Sequence, residues 1–319
     1  MKPGSKRNLP ASVRQRLLTL SERRKEPFDR VLVRYGIERL LYRLSRSPHA
    51  EKFLLKGAML FAIWSDGTHR PTRDVDLLGS GPHDDKTLKA IFTELCRLEI
   101  EPDGLTFLPE SVAAAPIREE AAYPGTRITL EARLENIRIS VQVDIGFGDV
   151  VTPEPDEVEF PALLDFPAPH LLAYPIYTVV AEKLEACVRL GEANTRMKDF
   201  FDLWFLIRKF PFEGGLLKDA ITRTFARREM PLPKTVPVAL TPQFAALKTA
   251  TWAAFIRRNA LEPVEIAATL DAILIFAWPV MGAAANAEAF NEHWTPAKGW
   301  SHDAHGVWHA GIEFGTPLL

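Results

Sequence analysis

Arg70-Pro71-Thr72-Arg73-Asp74-Val75-Asp76-Leu77-Leu78-Gly79 is the stretch from which the fold of this chain is read. Two carboxylates two residues apart, then an apolar pair and a Gly, predict a strand with Asp74 and Asp76 on one face. Carboxylates placed side by side on an apolar strand repel each other and resist desolvation unless positive charge lies between them. A hard divalent cation answers that need, since Mg²⁺ takes one or two carboxylates and leaves its other positions to phosphates and water. The structural alternative is a loop-edge pair salt-bridged to Arg70 or Arg73.

Upstream, Leu54-Leu55-Lys56-Gly57-Ala58 sets a short strand (Phe53–Leu55) against a Gly, with a helix predicted from Gly57 through Trp64. Backbone N–H groups at such a helix start face a triphosphate, and Gly allows its close approach. Downstream, Thr126–Leu134 and Asn136–Phe147 alternate and are rich in Ile and Val, which predicts antiparallel strands. On the second, Arg138, Ser140, Gln142 and Asp144 share one face, and Ile137, Ile139, Val141, Val143 and Ile145 the other. If this strand neighbours that of Asp74 and Asp76, Asp144 completes a three-carboxylate site able to hold two cations.

Working outward, apolar residues at helical spacing over Ala11–Ser47 predict two helices broken near Pro27, and residues 84–97 a further one. Val150–Pro175 is Pro-rich and is expected to connect lobes. Ile176–Leu190, Lys198–Lys209, Gly215–Arg228, Ala245–Arg258 and Pro263–Trp278 suit helices. The expected organisation is a basic helical segment (1–47), an α/β core (48–160) and a mainly helical C-terminal lobe (161–319).

Of 319 residues, 47% are hydrophobic and 25% charged, which excludes a disordered, collagen-like or disulfide-scaffold chain. Cys96 and Cys187 alone encode neither a disulfide framework nor a thiolate cage. The N-terminus is basic without the apolar run of a secretory signal, and Ile266–Gly282, interrupted by Asp271 and Pro279, is too short to span a bilayer and reads as a buried helix. A cytoplasmic protein without a membrane partner is expected. The net charge of −2 hides a polarity, because residues 1–50 carry 13 Lys/Arg against four Asp/Glu. Such a segment favours polyanions through counterion release, or is simply a solvated helix face.

As a set, Lys56-Gly57-Ala58, the stretch Arg70–Gly79, Glu182-Lys183-Leu184 and Arg196-Met197-Lys198-Asp199-Phe200-Phe201-Asp202-Leu203 resemble the AbiEii/AbiGii nucleotidyltransferase toxins. The resemblance runs from about Leu17 to the helices beyond Asp202. It implies an α+β fold: a polymerase-β-like nucleotidyltransferase core with a mixed or antiparallel sheet, plus a helical C-terminal lobe. It further implies a toxin of a toxin–antitoxin or abortive-infection system, and transfer of a nucleotide from an NTP with Mg²⁺ or Mn²⁺. The expected acceptor is RNA, chiefly the tRNA acceptor end, and the expected partner a separate winged-helix antitoxin. By position, Asp74 and Asp76 match the metal-binding pair, Lys183 the lysine that contacts nucleotide phosphates, and Asp199 and Asp202 the last motif. Lys56, Gly57 and Ala58 fall at the phosphate turn. Ala58 stands where compact members carry Ser, so backbone N–H groups must serve there. Nucleotidylation of a protein or small-molecule hydroxyl, and a non-catalytic binding protein on the same fold, are the competing readings.

Without the resemblance, Asp199 and Asp202 are one helix face, with Lys198–Asp202 an i,i+4 pair. Arg223, Arg227, Arg228, Arg257 and Arg258 are candidate RNA contacts. His302, His305 and His309, near His293, Trp294, Trp300 and Trp308, read as surface or packing residues rather than a metal site.

Overall fold

The computed structural model describes residues 8–65, 70, 72–82, 84–117, 125–296 and 298–302; Pro71, His305, Trp308 and His309 lie outside them. The chain divides into two compact units, one of residues 1–179 with 258–261, the other of residues 180–257 with 262–319.

The first unit begins with two helices, α1 (Leu9–Arg24) and α2 (Phe28–Ser45). Asn8 caps α1 through its side chain, Lys25 closes it in the left-handed conformation, and Pro27 precedes α2, as the Pro-27 break predicted. Strand β1 (Phe53–Lys56) leads into a 3₁₀ turn (Gly57–Leu60) and one turn of helix, α3 (Phe61–Trp64). The single helix expected over Gly57–Trp64 is thus two short turns, in which few peptide dipoles align. Then come β2 (Asp74–Gly79), α4 (Asp85–Arg97, capped by Asp84), β3 (Thr106–Pro116), β4 (Gly125–Leu134) and β5 (Ile137–Phe147). Two more strands, β6 (Asp156–Glu159) and β7 (His170–Ala173), arise inside the Pro-rich segment that reads as a bare connection.

Among the described residues these strands form one mixed sheet in the order β3-β4-β5-β2-β1-β7-β6. The pairs β3/β4, β4/β5, β1/β2 and β6/β7 are antiparallel, whereas β2/β5 and β1/β7 are parallel. Strand β3 escapes sequence reading because its pairing is broken by a bulge between Leu108 and Ala113, which spoils the two-residue alternation. One sheet face, with Val75, Leu77, Ile128, Leu130, Val141, Val143 and Ile145, is fully buried. Helices α2 and α4 pack on the sheet, and Gly36 on α2 brings its backbone against Ile139 and Val141.

The division between units falls within α5 (Ile176–Leu190). The second unit continues with α6 (Met197–Lys209), β8 (Phe212–Glu213), α7 (Gly214–Arg227), α8 (Pro242–Arg258), α9 (Ile266–Ala285), β9 (His293–Thr295) and β10 (Gly299–Ser301). The last strands pair with β8 in the order β10-β9-β8, a small sheet with no counterpart in the sequence reading. Helix α9 has 20 residues, longer than expected, and by length and composition suffices to cross a membrane. Half of it is buried within the unit, with Leu270, Ile273, Phe276, Ala277, Val280 and Met281 on its buried side, and the helix packs on α6 and α7. Asp271 and Pro279, which looked like interruptions, both lie on its exposed side. Phe276 stacks on Trp300 and meets Phe212 and Trp294 edge-on, while the two indole N–H groups donate to the carbonyls of Phe276 and Ile207. Trp294 and Trp300 therefore belong to a packing cluster, while His293 lies half-buried on β9 and His302 is exposed.

Candidate active site

Register builds the centre of the first unit. Asp74 lies opposite Gln142, and Asp76 opposite Asp144, across the parallel pair β2/β5. Lys56 on β1 lies opposite Asp76 on its other side, and Arg127 on β4 opposite Asp144. Directly opposed residues share a sheet face. Arg127, Asp144, Asp76 and Lys56 therefore form one row across four strands, with two carboxylates flanked by two cations. Val75 and Leu77 point into the core, which turns Asp74 and Asp76 to the other, half-buried face.

Each member of the row is held. Arg127 grips Asp144 with a two-pronged fork, Nε to Oδ1 and Nη2 to Oδ2, both at 2.8 Å. Lys56 Nζ donates to Asp149 Oδ2 at 3.0 Å and lies 5.6 Å from the centre of the Tyr174 ring. Gly146 leaves room for that ammonium. Thr72 Oγ1 donates to Asp74 Oδ1 at 2.6 Å. Arg73, the suggested partner of the pair, instead reaches Asp29 on the surface. Gly57, at φ +72°, packs its backbone directly against the Asp76 side chain, and a Cβ there would overlap the carboxylate. Ala58 follows within the same 3₁₀ turn. Among the described residues no three His, Cys, Asp or Glu side chains converge as a ready-made metal cage.

The second unit holds the other motif residues. Lys183 on α5 donates to Asp199 Oδ1 and to Asp202 Oδ2, each at 2.8 Å, and both aspartates are fully buried on α6. Burial alone would raise the Asp199 carboxyl, but the Lys183 ammonium, followed by Arg196, holds it below its usual value. Arg196 Nε meets Asp199 Oδ2 at 2.6 Å, and Asn194 accepts from the Arg196 backbone N–H. The i,i+4 partner expected for Asp202 gives way to Lys183; Lys198 is exposed. Cys187, buried beside this cluster, has its thiol pushed well up, chiefly by burial and then by Asp199.

Among the described residues, part of the charge in the basic N-terminal segment is taken up by ion pairs within the chain. Arg34 pairs with Glu26, Arg39 with Glu38, and Arg43 with Asp103, while Arg14 and Arg16 meet Glu135 and Asp165. Arg23, Arg24 and Lys25 are exposed. In the second unit Arg228 is spent on Glu182 and Glu185, the latter completely buried. Sequence reading missed Arg127, Asp149 and Asn194. The alternation of Thr126–Leu134 carries the signal for Arg127, because it sets that residue on the side of its strand opposite to Ile128 and Leu130.

A family model, AbiEii: nucleotidyl transferase AbiEii toxin, type IV TA system, matches residues 39–275. No curated protein matches the chain. Two crystal structures from Helicobacter pylori are similar at 14% identity and a TM-score of 0.39: an inferred nucleotidyltransferase and the protein JHP933. Each similarity covers 78% of this chain, with 89% and 87% of the respective relative.

Proposed function

This chain belongs to the AbiEii nucleotidyl transferase toxin family of type IV toxin–antitoxin systems, and from that premise we propose that it transfers a nucleotide from an NTP to RNA, at the tRNA acceptor end. Membership makes it a nucleotidyltransferase with a cognate antitoxin. The winged-helix character of that antitoxin, the divalent cation and the RNA acceptor are parts of the proposal.

The observation that carries the reading is the in-register pair Asp76–Asp144 with Asp74 two residues away on the same face. The donor set consists of carboxylate oxygens, which suits Mg²⁺ or Mn²⁺ and not a soft metal. Asp74, Asp76 and Asp144 would hold the cation. When bound, it polarises the acceptor hydroxyl and neutralises the leaving pyrophosphate. The chain's own groups do the rest. Gly57 and Ala58 offer backbone N–H groups to the triphosphate, and the missing side chain at Gly57 keeps the Asp76 carboxylate in place. Lys56, tethered by Asp149, supplies fixed positive charge at the end of β1. Lys183 takes the phosphate-contacting role that its motif carries in the family, with Asp199 and Asp202 aiming its ammonium.

The internal pairing of Arg34, Arg39 and Arg43 leaves fewer N-terminal cations for a polyanion, which favours a protein or small-molecule hydroxyl as the second reading of the acceptor. Incubation of the full chain with Mg²⁺, total tRNA and each α-labelled NTP, beside Asp76→Asn, decides between them. The expected result is label in RNA with one NTP, lost in the variant. Label on protein instead moves the acceptor. Absence of label in every lane, together with no NTP binding, points to a non-catalytic protein.

A further inference from the structure

Asp144 is the member of the carboxylate row with a competitor built in beside it. Its two oxygens are straddled by Arg127 in a fork–fork arrangement, and the pair is a directly opposed cross-strand pair, so the contact is set by sheet register. Gln142, two residues before Asp144, closes the arrangement from the side. Its amide oxygen, turned toward Arg127, accepts from Nε at 3.2 Å and from Nη2 at 3.3 Å. The guanidinium is thus fixed by a carboxylate and an amide together. Asp144 is 15% exposed and Arg127 42%, so the pair is within reach of an incoming ion.

Two carboxylates facing each other across β2/β5 need positive charge, and Arg127 supplies it on the far side of Asp144. A cation shared by Asp76 and Asp144 would supply the same charge to the same oxygens, and it also meets repulsion from a guanidinium held nearby. We propose that Arg127 is a positioning residue that competes with the divalent cation for Asp144, keeping the third carboxylate oriented but engaged until a cation displaces the fork. This inference rests on the assignment of Asp74, Asp76 and Asp144 to the cation site. Arg127 sets how tightly the cation binds, through Asp144, and does not itself touch the reacting atoms.

The test is titration of the full chain with Mn²⁺ alone, following the free ion by electron paramagnetic resonance. The variants are Arg127→Gln, Arg127→Lys, Asp144→Asn and Asp76→Asn, each checked for folding by thermal melting. Removal of a charge-assisted two-pronged contact is expected to tighten Mn²⁺ binding by about tenfold or more in Arg127→Gln. Arg127→Lys keeps the charge but loses the fork, and should also bind Mn²⁺ more tightly than the wild type. Adding Asp144→Asn to Arg127→Gln should erase the gain. Unchanged Mn²⁺ affinity in Arg127→Gln, with binding still dependent on Asp76, overturns the competition while leaving the cation site standing. Arg127→Lys identical to the wild type reduces the effect to long-range charge and overturns the fork. Mn²⁺ binding indifferent to Asp76→Asn overturns the cation assignment itself, and the competition with it.

Discussion

The carboxylate of Asp76 occupies the space that a side chain on Gly57 would need. Gly57 also sits at φ +72°, a conformation that costs an L-residue about 1–2 kcal/mol. Gly57→Ala should therefore lower thermal stability modestly and push Asp76 out of the row. In the labelling assay its activity should fall toward that of Asp76→Asn. A variant with full activity would show that the Asp76 position tolerates displacement.

Lys183 has a structural duty beside its proposed contact with phosphate. Its ammonium is shared by two fully buried aspartates, so Lys183→Ala leaves them facing each other with their principal counter-charge gone. Breaking a buried ion cluster by removing one partner costs about 3–5 kcal/mol. Urea unfolding should show a loss of that order, shrinking at low pH as Asp199, whose carboxyl the Lys183 ammonium holds below its usual value, protonates. Lys183→Arg should recover part of it. A Lys183→Ala protein as stable as the wild type would mean that the second unit does not depend on this cluster.

Glu38 gives a pH dependence whose sign can be worked out. Burial pushes its carboxyl up to about 7 from the ordinary 4.5, against the opposing pull of Arg39 and the Leu163 N–H. A raised folded-state value means that folding favours the protonated form. The stability this contributes is present below about pH 4.5 and is lost as the pH rises through about 7. Relative to Glu38→Gln, the wild type should lose on the order of 2–3 kcal/mol between pH 4.5 and 8. Parallel pH profiles of the urea midpoint for the two proteins would contradict the assignment.

The N-terminal cations separate into two kinds. Arg43 is buried against Asp103, with its guanidinium 4.5 Å from the Phe107 ring, so Arg43→Ala should destabilise the fold by about 3 kcal/mol or more. Arg23, Arg24 and Lys25 are exposed, and replacing all three by Ala should leave the melting temperature nearly unchanged. If they contact RNA phosphates, the slope of log affinity against log salt should become shallower by about two to three. An unchanged slope would remove this helix end from the RNA surface.

The carboxylate centre was legible because its signal is local. Asp74 and Asp76 share a strand, alternation fixes their common face, and the apolar face of β5 fixes the phase of Asp144. Helices α4 to α9 were legible for the same reason, being periodic segments with recognisable ends. Strands β3, β6 and β7 were not. A bulge breaks the alternation of β3; β6 and β7 are four-residue strands, too short to show a period, and β7 joins the sheet through β1, far away in sequence. Helical spacing alone stops α9 at Trp278, before Pro279, whereas the apolar run Ile266–Gly282 reads as a buried helix; the helix runs through Pro279 because packing against α6 and α7, a tertiary effect, outweighs one lost backbone hydrogen bond.

By itself the sequence determined the residue types on each strand face and the motif order that places the chain in its family, since both follow from side-chain identity and two-residue periodicity. Only the tertiary structure decided which strands are neighbours and in what register. That choice puts Arg127 beside Asp144, Asp144 beside Asp76 and Asp76 beside Lys56. It also turns Arg34, Arg39, Arg43 and Arg228 inward to buried or half-buried carboxylates, so that a count of charges along the chain overstates what a partner would meet. The physical reason is the same in both cases. A buried charge must find its counter-charge in space, and the chain positions that meet there are set by sheet register and packing rather than by distance along the sequence.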